Sequence, residues 1–219
     1  MIPRARSDLA DLNGPDGLDG LADLVRRLRS LPPSCGPVRL VAVDGHAGSG
    51  KSTLAGRLAA RLGGAPVLHL DDLASHDALF GWTGRFLEQV ATPLSRGEPA
   101  RYEVYDWERR VFGGARTLPP APVVLVEGVG AGRRALRPRL ACVVWLEVPR
   151  EEAWARGRHR DGPELAGFWD GWERAEERHF AADPTLPHSD LLVRRCARGY
   201  LVLPGPRGVR EKSAENYGG

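Results

Sequence analysis

The residues best suited to chemistry form one glycine-rich stretch, 45–52, with the sequence Gly-His-Ala-Gly-Ser-Gly-Lys-Ser. It fits the spacing G-x-x-x-x-G-K-[ST] of a phosphate-binding P-loop. Glycines let the backbone curl so that successive N–H groups face phosphate oxygens, and a following helix adds partial positive charge from its N-terminus. In such a loop the lysine, here Lys51, reaches the β- and γ-phosphates, while the hydroxyl of Ser52 ligates Mg²⁺. The stretch therefore predicts a site for a nucleoside triphosphate.

The residues on either side of the loop support this interpretation. An apolar run at 38–43 precedes it and predicts a buried strand, and the apolar spacing over 52–62 predicts a helix. Glycine accounts for 27 of the 219 residues, so the alternative is a chance match to the motif. A chance match would not be expected to have a strand pattern before it and a helix pattern after it. The predicted nucleotide contacts are Gly45, Ala47, Gly48, Ser49, Gly50, Lys51, Ser52 and Thr53.

Carboxylates follow two further apolar runs. The run at 66–70 ends in Asp71 and Asp72, and the run at 123–126 ends in Glu127. Because ligands of open α/β sheets bind at the carboxyl ends of the strands, we expect these acids to face the phosphates. Helix capping or a turn is the alternative for the aspartate pair, and it could account for one of the two.

A third group of charged side chains lies in the segment 150–161. Arg156 and Arg160 are four residues apart and share one face of a predicted helix. Convergent arginines beside a phosphate site stabilise charge on a transferring phosphoryl group. The alternative is an exposed basic helix whose arginines pair with Glu151 and Glu152.

The stretch 101–110 mixes aromatic, acidic and arginine side chains without the periodicity of a core element. Aromatic rings offer a flat face, and acids accept hydrogen bonds from hydroxyls, so the mixture suits a small polar substrate. A surface hairpin explains the same composition equally well.

The elements that must position these groups alternate between strands and helices. Further helices are predicted at 17–31, 83–94, 150–161 and 168–180, and further strands at 141–147 and 190–193, with 200–203 as a candidate hairpin partner of the last strand. The alternation predicts an α/β fold with a mostly parallel doubly wound sheet, and the P-loop motif makes a three-layer P-loop NTPase the expected form of it. We expect the segment at about 150–162, which carries the paired arginines, to form a small helical lid. We interpret the aromatic stripe of the helix at 168–180 as core.

Length and composition predict an ordinary globular chain. We expect an N-terminal extension at 1–35, a catalytic domain at 36–203 and a disordered tail at 204–219. The net charge of +3 is spread along the chain, which suits a phosphate-binding protein but gives no nucleic-acid signature. Three widely spaced cysteines exclude a clustered zinc site and predict a reducing cytoplasm. No apolar run has the length of a signal peptide or a membrane span, so we expect no membrane partner; a homo-oligomer is compatible.

Taken together, the motifs resemble the uridine kinase and phosphoribulokinase-like group of P-loop kinases over roughly 38–193. The resemblance rests on the P-loop, on Leu70-Asp71-Asp72, on the segments 104–107 and 124–128, and on the segment that ends in Arg160-Asp161. It implies ATP and Mg²⁺ as cofactors and transfer of the γ-phosphate to a hydroxyl of a small molecule, with a nucleoside as the first choice.

The resemblance also implies roles for individual residues. By position, Asp71 would orient and deprotonate the acceptor hydroxyl, Glu127 would assist the metal, and Tyr105 would contact the substrate. Arg156 and Arg160 would contact the phosphates. The full metal set would be Ser52, Asp71 and Glu127, and the substrate set Asp72, Asp77, Tyr105, Trp107 and Arg110.

The chain departs from that group where the acceptor would bind. Leu73 and Ala74 follow the catalytic aspartate where uridine kinases carry an aromatic residue, and Arg109 and Arg110 stand near the place of a histidine. Two alternatives therefore stay open. One is a kinase of another acceptor, such as a phosphorylated sugar, a pantothenate-like molecule or a nucleoside monophosphate. The other is a nucleotide-binding module or slow NTPase that docks through the helix at 17–31.

Overall fold

A computed structural model describes residues 20–197 and 199–207 of the chain. The strands are β1 (Arg39–Asp44), β2 (Val67–His69), β3 (Ala100–Asp106), β4 (Val111–Leu118), β5 (Val123–Glu127), β6 (Cys142–Leu146), β7 (Leu191–Cys196) and β8 (Gly199–Pro204). The helices are α1 (Gly20–Ser30), α2 (Lys51–Arg61), α3 (Thr83–Arg85), α4 (Thr92–Ser95), α5 (Arg150–Asp161) and α6 (Ala166–Ala182). The predicted extension before residue 20 and the predicted disordered tail beyond residue 207 lie outside the described residues.

Six strands form a mostly parallel sheet in the order β2-β5-β1-β6-β7-β8. Every neighbouring pair is parallel except β7 and β8, which form an antiparallel hairpin at one edge. Parallel strands are covered on both faces, and β5 and β6 are accordingly buried along their whole length. The predicted α/β fold is confirmed.

Successive residues of β1 point into two different cores, because side chains alternate across a strand. Leu40 and Ala42 belong to a core that contains Phe86 of the helical segment after β2. Val41 and Val43 belong to a second core that contains Leu54 of α2 and the apolar face of α1. The sheet is therefore the middle layer between two helical layers.

Helix α1, which falls within the helix predicted at 17–31, packs on the second core with one apolar face. Its side chains Leu21, Leu24, Val25 and Leu28 are all buried. The helix contacts β8 and α2, so its apolar face is buried within this domain.

The predicted helix at 83–94 contains a feature that the sequence pattern did not indicate. A π-helical segment, Phe86–Ala91, joins α3 to α4 within one continuous helical stretch. From this segment, the Gln89 side chain accepts a hydrogen bond from the Glu103 amide of β3 at 2.9 Å. Strands β3 and β4 form a separate antiparallel hairpin over the segment that composition left open.

Helix α5 lies directly on the P-loop. A Cβ at Gly48 would lie 2.0 Å from the carbonyl oxygen of Ala153, so only glycine allows this approach. Helix α6 follows, and a Cβ at Gly157 of α5 would lie 2.2 Å from the ring of Trp169. The two helices are therefore in close contact with each other and with the loop.

Candidate active site

The P-loop, Asp71 and Glu127 gather at one edge of the central sheet. Parallel pairing places Glu127, the last residue of β5, opposite Val43 of β1 and opposite His69 of β2. The P-loop follows β1, and Asp71 follows β2 by two residues. The carboxyl ends of three neighbouring strands thus bring the predicted groups together, as expected for an open α/β sheet.

A buried aspartate fixes the base of the P-loop. Asp44, at the end of β1, is fully buried and accepts hydrogen bonds from the amides of Gly45 (2.7 Å), Gly130 (2.9 Å) and Gly132 (2.9 Å). Burial raises the pKa of its carboxyl, while these amides lower it. The bonds join the start of the P-loop to the loop after β5.

The loop presents the groups that a phosphate needs. The buried ammonium of Lys51 donates to the carbonyl oxygen of His46 at 2.9 Å. The amides in the first turn of α2, which begins at Lys51, have no acceptors within the helix. The hydroxyl of Ser49 is buried without a hydrogen-bond partner among the described residues. Thr53 lies exposed in the first turn of α2.

Ser52 and Glu127, two of the three predicted metal ligands, are hydrogen-bonded to each other. The Ser52 hydroxyl donates to Glu127 Oε1 at 3.0 Å, and Glu127 is 4% exposed. The same oxygen accepts a hydrogen bond from Nδ1 of His69 at 2.5 Å, and this bond is the main cause that raises the pKa of the imidazole. No cluster of three or more His, Cys, Asp or Glu side chains that could hold a metal occurs within 20–197 and 199–207.

Asp71 is the carboxylate that faces the cleft. Its side chain is exposed, and its backbone carbonyl accepts a hydrogen bond from the indole of Trp107 at 3.1 Å. Desolvation by the crowded cleft raises the pKa of Asp71, the charge of Glu127 raises it further, and Lys51 opposes both. Asp71, Glu127 and Lys51 therefore act on one another electrostatically.

Asp72 has a different position from its neighbour. It is buried and accepts two hydrogen bonds from Arg116 of β4, at 2.7 and 2.9 Å, and one from the hydroxyl of Tyr102 at 3.2 Å. These bonds hold the hairpin on the domain. Of the two aspartates, only Asp71 has a carboxylate free of such bonds in the cleft.

The two predicted lid arginines also differ. Arg160 hydrogen-bonds to Asp161, which is the main cause that raises its pKa, and the charge of Asp71 contributes as well. Arg160 is thus within electrostatic range of the cleft. Arg156 pairs instead with Glu152 of its own helix, as the alternative interpretation of this segment expected.

Predicted substrate residues of the hairpin meet an unpredicted histidine. Nδ1 of His76 lies 3.0 Å from the hydroxyl of Tyr105, and its ring centroid lies 4.9 Å from that of Trp107 and 6.0 Å from that of Phe168. Arg110 lies elsewhere, exposed in the turn of the hairpin with φ of 58°. The structure therefore groups Tyr105 and Trp107 but not Arg110.

A cavity of about 770 Å³ lies beside this aromatic group, between the loop after Asp72 and helix α6. Its lining comprises His76, Asp77, Ala78, Leu79, Phe80, Gly81, Gly167, Phe168, Gly171, Trp172, Ala175, Arg178 and His179. Of these, sequence reasoning selected only Asp77. The α6 residues were missed because an aromatic stripe usually marks a core, and Trp172 is indeed buried. The available signal was the small residues Gly167, Gly171 and Ala175, spaced by four.

His179 forms part of the wall of the cavity. Its ring stacks on Phe80 with a centroid distance of 4.6 Å and an interplanar angle of 8°. Burial lowers the pKa of His179 to about 4, and the charge of Arg133 lowers it in the same direction. The imidazole is therefore neutral near pH 7.

Comparison with known proteins places this site in a recognised fold. A possible uridine kinase from Bacillus stearothermophilus matches with a TM-score of 0.59 and 19% identity, over 78% of this chain and 96% of that one. A candidate fructose transport system kinase from Silicibacter sp. TM1040 matches with a TM-score of 0.53 and 25% identity, over 74% of this chain and 89% of that one. No protein-family model and no curated protein matches the sequence. The chain has the fold of these kinases, which confirms the predicted resemblance at the level of the fold. No helix of the described chain has the length and apolar character to cross a membrane.

Proposed function

We propose that this protein is an ATP-dependent phosphotransferase that moves the γ-phosphate to a hydroxyl of a small molecule, with a nucleoside such as uridine or cytidine as the first choice. The observation that carries the proposal is the assembly of Lys51, Ser52, Glu127 and Asp71 at one sheet edge beside a cavity. A protein that only binds nucleotides would not need a cavity for an acceptor beside these groups.

The nucleotide and the metal fit the groups present. The unpartnered Ser49 hydroxyl, the Lys51 ammonium and the first amides of α2 would hold the phosphates. Mg²⁺ prefers oxygen ligands and usually takes only one or two carboxylates together with phosphates and water. Ser52, Glu127 and Asp71 provide such oxygens. When bound, the metal would neutralise charge on the transferring phosphoryl group.

Asp71 is the proposed general base. Its carboxylate is exposed to the cleft, and Trp107 fixes its backbone. Its raised pKa brings the carboxyl nearer to the working pH, which favours proton transfer from an alcohol. Arg160 is the proposed cation that closes over the phosphates, because Asp71 already contributes to its pKa.

The cavity is the proposed acceptor site. Phe80, Phe168 and Trp172 offer faces for a ring, and Asp77 could accept hydrogen bonds from hydroxyls. The similarity to a possible uridine kinase agrees with a nucleoside. Arg178, also in the lining, favours the second candidate, an acceptor that carries a phosphate, and a candidate sugar kinase is among the similar structures.

The non-enzymatic alternative loses its proposed docking element. The apolar face of α1 is buried against α2 and β8, so it is not available to a partner in this state. The cytoplasm remains the proposed location, supported by three free cysteines at 35, 142 and 196. Cell fractionation tests that location.

The test of the proposed chemistry is a radiolabelled-ATP screen across nucleosides, nucleoside monophosphates, sugars and sugar phosphates. We expect label transfer to one of these classes, and loss of about 10²- to 10⁴-fold in turnover for Asp71→Asn with little change in ATP affinity. Asp23→Asn, in an exposed position of α1, is the matched control and should retain full activity. ADP and free phosphate formed equally without any acceptor would support the NTPase instead.

The acceptor site has its own test. Gly171 lines the cavity, and a Cβ built there would meet nothing within 4 Å, so the side chain of Gly171→Leu should start into open space and take up part of the cavity. We expect a higher acceptor KM at unchanged ATP affinity. Gly56→Leu is the matched control, because Gly56 is also an open glycine within a helix but lies in α2, outside the cavity. Equal acceptor KM values for the two variants would contradict the assignment.

A further inference from the structure

Glu176 of α6 is a buried charged side chain that the proposed chemistry does not use. It is fully buried, yet it belongs to the helix that lines the cavity and not to the P-loop. Its Oε1 accepts a hydrogen bond from Nδ1 of His46 at 2.7 Å. Its Oε2 accepts hydrogen bonds from the amide of Ala47 at 3.1 Å and from the indole of Trp172 at 3.0 Å. One carboxylate thus holds two consecutive P-loop residues.

The carboxylate is ionised. Burial alone would raise the pKa of Glu176, but the hydrogen bond from His46 and the charge of Lys51 outweigh it, and the pKa lies below its usual range. An ionised carboxylate only accepts hydrogen bonds, so Nδ1 of His46 carries the hydrogen.

His46 connects this carboxylate to the functional lysine. Its carbonyl oxygen accepts hydrogen bonds from the Lys51 ammonium at 2.9 Å and from the Ser49 amide at 3.1 Å. Its ring lies edge-on to Trp145 and Phe180, each with a centroid distance of 5.4 Å. The ring and the carbonyl of His46 are therefore both fixed, and Glu176 fixes the ring.

Packing alone does not account for this arrangement. A buried charge carries a desolvation penalty, and an apolar side chain of similar volume commonly fills such a position with equal or better stability. Glu176 accepts a hydrogen bond from the indole of Trp172, and its partner His46 packs edge-on against Phe180, so an apolar residue would have aromatic surroundings here. The three donors converge on it from the P-loop and from α6 itself.

We propose that Glu176 is a positioning residue that holds the first half of the P-loop in its phosphate-receiving conformation, acting through His46 and Ala47. The proposal rests on the nucleotide-binding part of the proposed function and not on the identity of the acceptor. It also links the two sites, since Trp172 lines the cavity and donates to the same carboxylate.

The test is the affinity of the full chain for MgADP and for the Mg²⁺ complex of a non-hydrolysable ATP analogue, measured by isothermal titration calorimetry. In Glu176→Gln the amide keeps one acceptor oxygen and presents an N–H₂ group to the remaining donors. We expect both affinities to fall about 10- to 100-fold in this variant. Glu177→Gln is the matched control, because Glu177 is exposed and pairs with Arg150 at 3.2 Å; its affinities should stay within about twofold of wild type.

A double-mutant cycle separates positioning from general stability. His46→Asn shortens the side chain so that it no longer reaches Glu176. If Glu176 acts through His46, the double variant should bind no more weakly than the poorer single variant, at a temperature where all variants are folded. Fully additive losses, or wild-type affinity in Glu176→Gln, would overturn the proposal.

A second pair of variants serves if Glu176→Gln does not fold. Trp172→Phe removes one donor to the carboxylate and His46→Asn removes another, and unchanged MgADP affinity in both variants would overturn the proposal too. Failure of the wild type to bind MgADP would instead refute the proposed function.

Discussion

Gly48→Ala is the substitution whose effect can be worked out most directly from the structure. Gly48 has φ of 77°, in the left-handed region, and its missing Cβ would lie 2.0 Å from the Ala153 oxygen and 2.8 Å from the Gly157 nitrogen. Real Cβ atoms stay at least 3.0 Å from such atoms, so α5 or the loop must move by at least 1.0 Å (3.0 − 2.0 Å). Both atoms belong to backbone, so no side-chain rotation relieves the contact.

The expected loss has two parts. The left-handed conformation costs a non-glycine residue about 1–2 kcal/mol, which lowers Tm by about 2–8 °C in a domain of this size. The displacement acts on catalysis, because α5 carries Arg160 and rests on the P-loop, and a misplacement of about 1 Å can reduce turnover about 100-fold. We expect Gly48→Ala to show both effects.

Gly63→Ala is the matched control for this experiment. Gly63 has φ of 85°, but a Cβ there would meet nothing within 4 Å, so the variant carries the backbone strain without the displacement. The assay is ADP formation from ATP with the acceptor found in the radiolabel screen, together with thermal unfolding. We expect Gly63→Ala to lose stability and keep its turnover. Turnover in Gly48→Ala within about threefold of Gly63→Ala would refute the reasoning.

Three further results are expected. Asp72→Asn should lower Tm by about 2–4 °C, because an amide accepts the hydrogen bonds of the half-exposed Arg116 poorly and the ion pair is worth about 1 kcal/mol. Turnover should fall far less than in Asp71→Asn, and an equal loss of turnover would contradict the separate positions of the two aspartates. The pKa of His179 lies at about 4, below its unfolded value, so the folded protein should lose stability as the pH falls from about 6.5 towards 4. His179→Gln should flatten that part of the curve of Tm against pH, and an unchanged slope would show that His179 does not cause the loss. Glu127→Gln should raise the Mg²⁺ concentration needed for half-maximal turnover by about 10-fold or more, whereas Glu151→Gln on the surface of α5 should not change it.

The fold, and the meeting of the P-loop, Asp71 and Glu127 at one sheet edge, could be predicted because they depend on local sequence. The glycine spacing at 45–52 determines the loop, and the apolar runs that end in Asp71 and Glu127 determine which groups reach the sheet edge. Parallel pairing then brings those ends together without further information.

The rest of the candidate site depends on contacts between segments far apart in the chain, and there sequence reasoning was incomplete. Arg116, which holds Asp72, is 44 residues away, and Glu176, which holds Ala47, is 129 residues away. No local sequence pattern indicates either of these two contacts. The aromatic stripe of α6 serves as core through Trp169 and as cavity wall through Phe168, and periodicity alone cannot distinguish the two roles.

The open glycines of α6 would allow the shape of the cavity to change independently of the proposed phosphate-binding groups. A Cβ at Gly167 or at Gly171 would meet no other atom within 4 Å, and both residues line the cavity. One or two substitutions on this helix could therefore shorten or reshape the proposed acceptor space without replacing any of the proposed phosphate-binding residues. A protein with this arrangement could acquire new substrates through substitutions in a single helix. Positions 167 and 171 are therefore the first to randomise in a library designed to find such substrates.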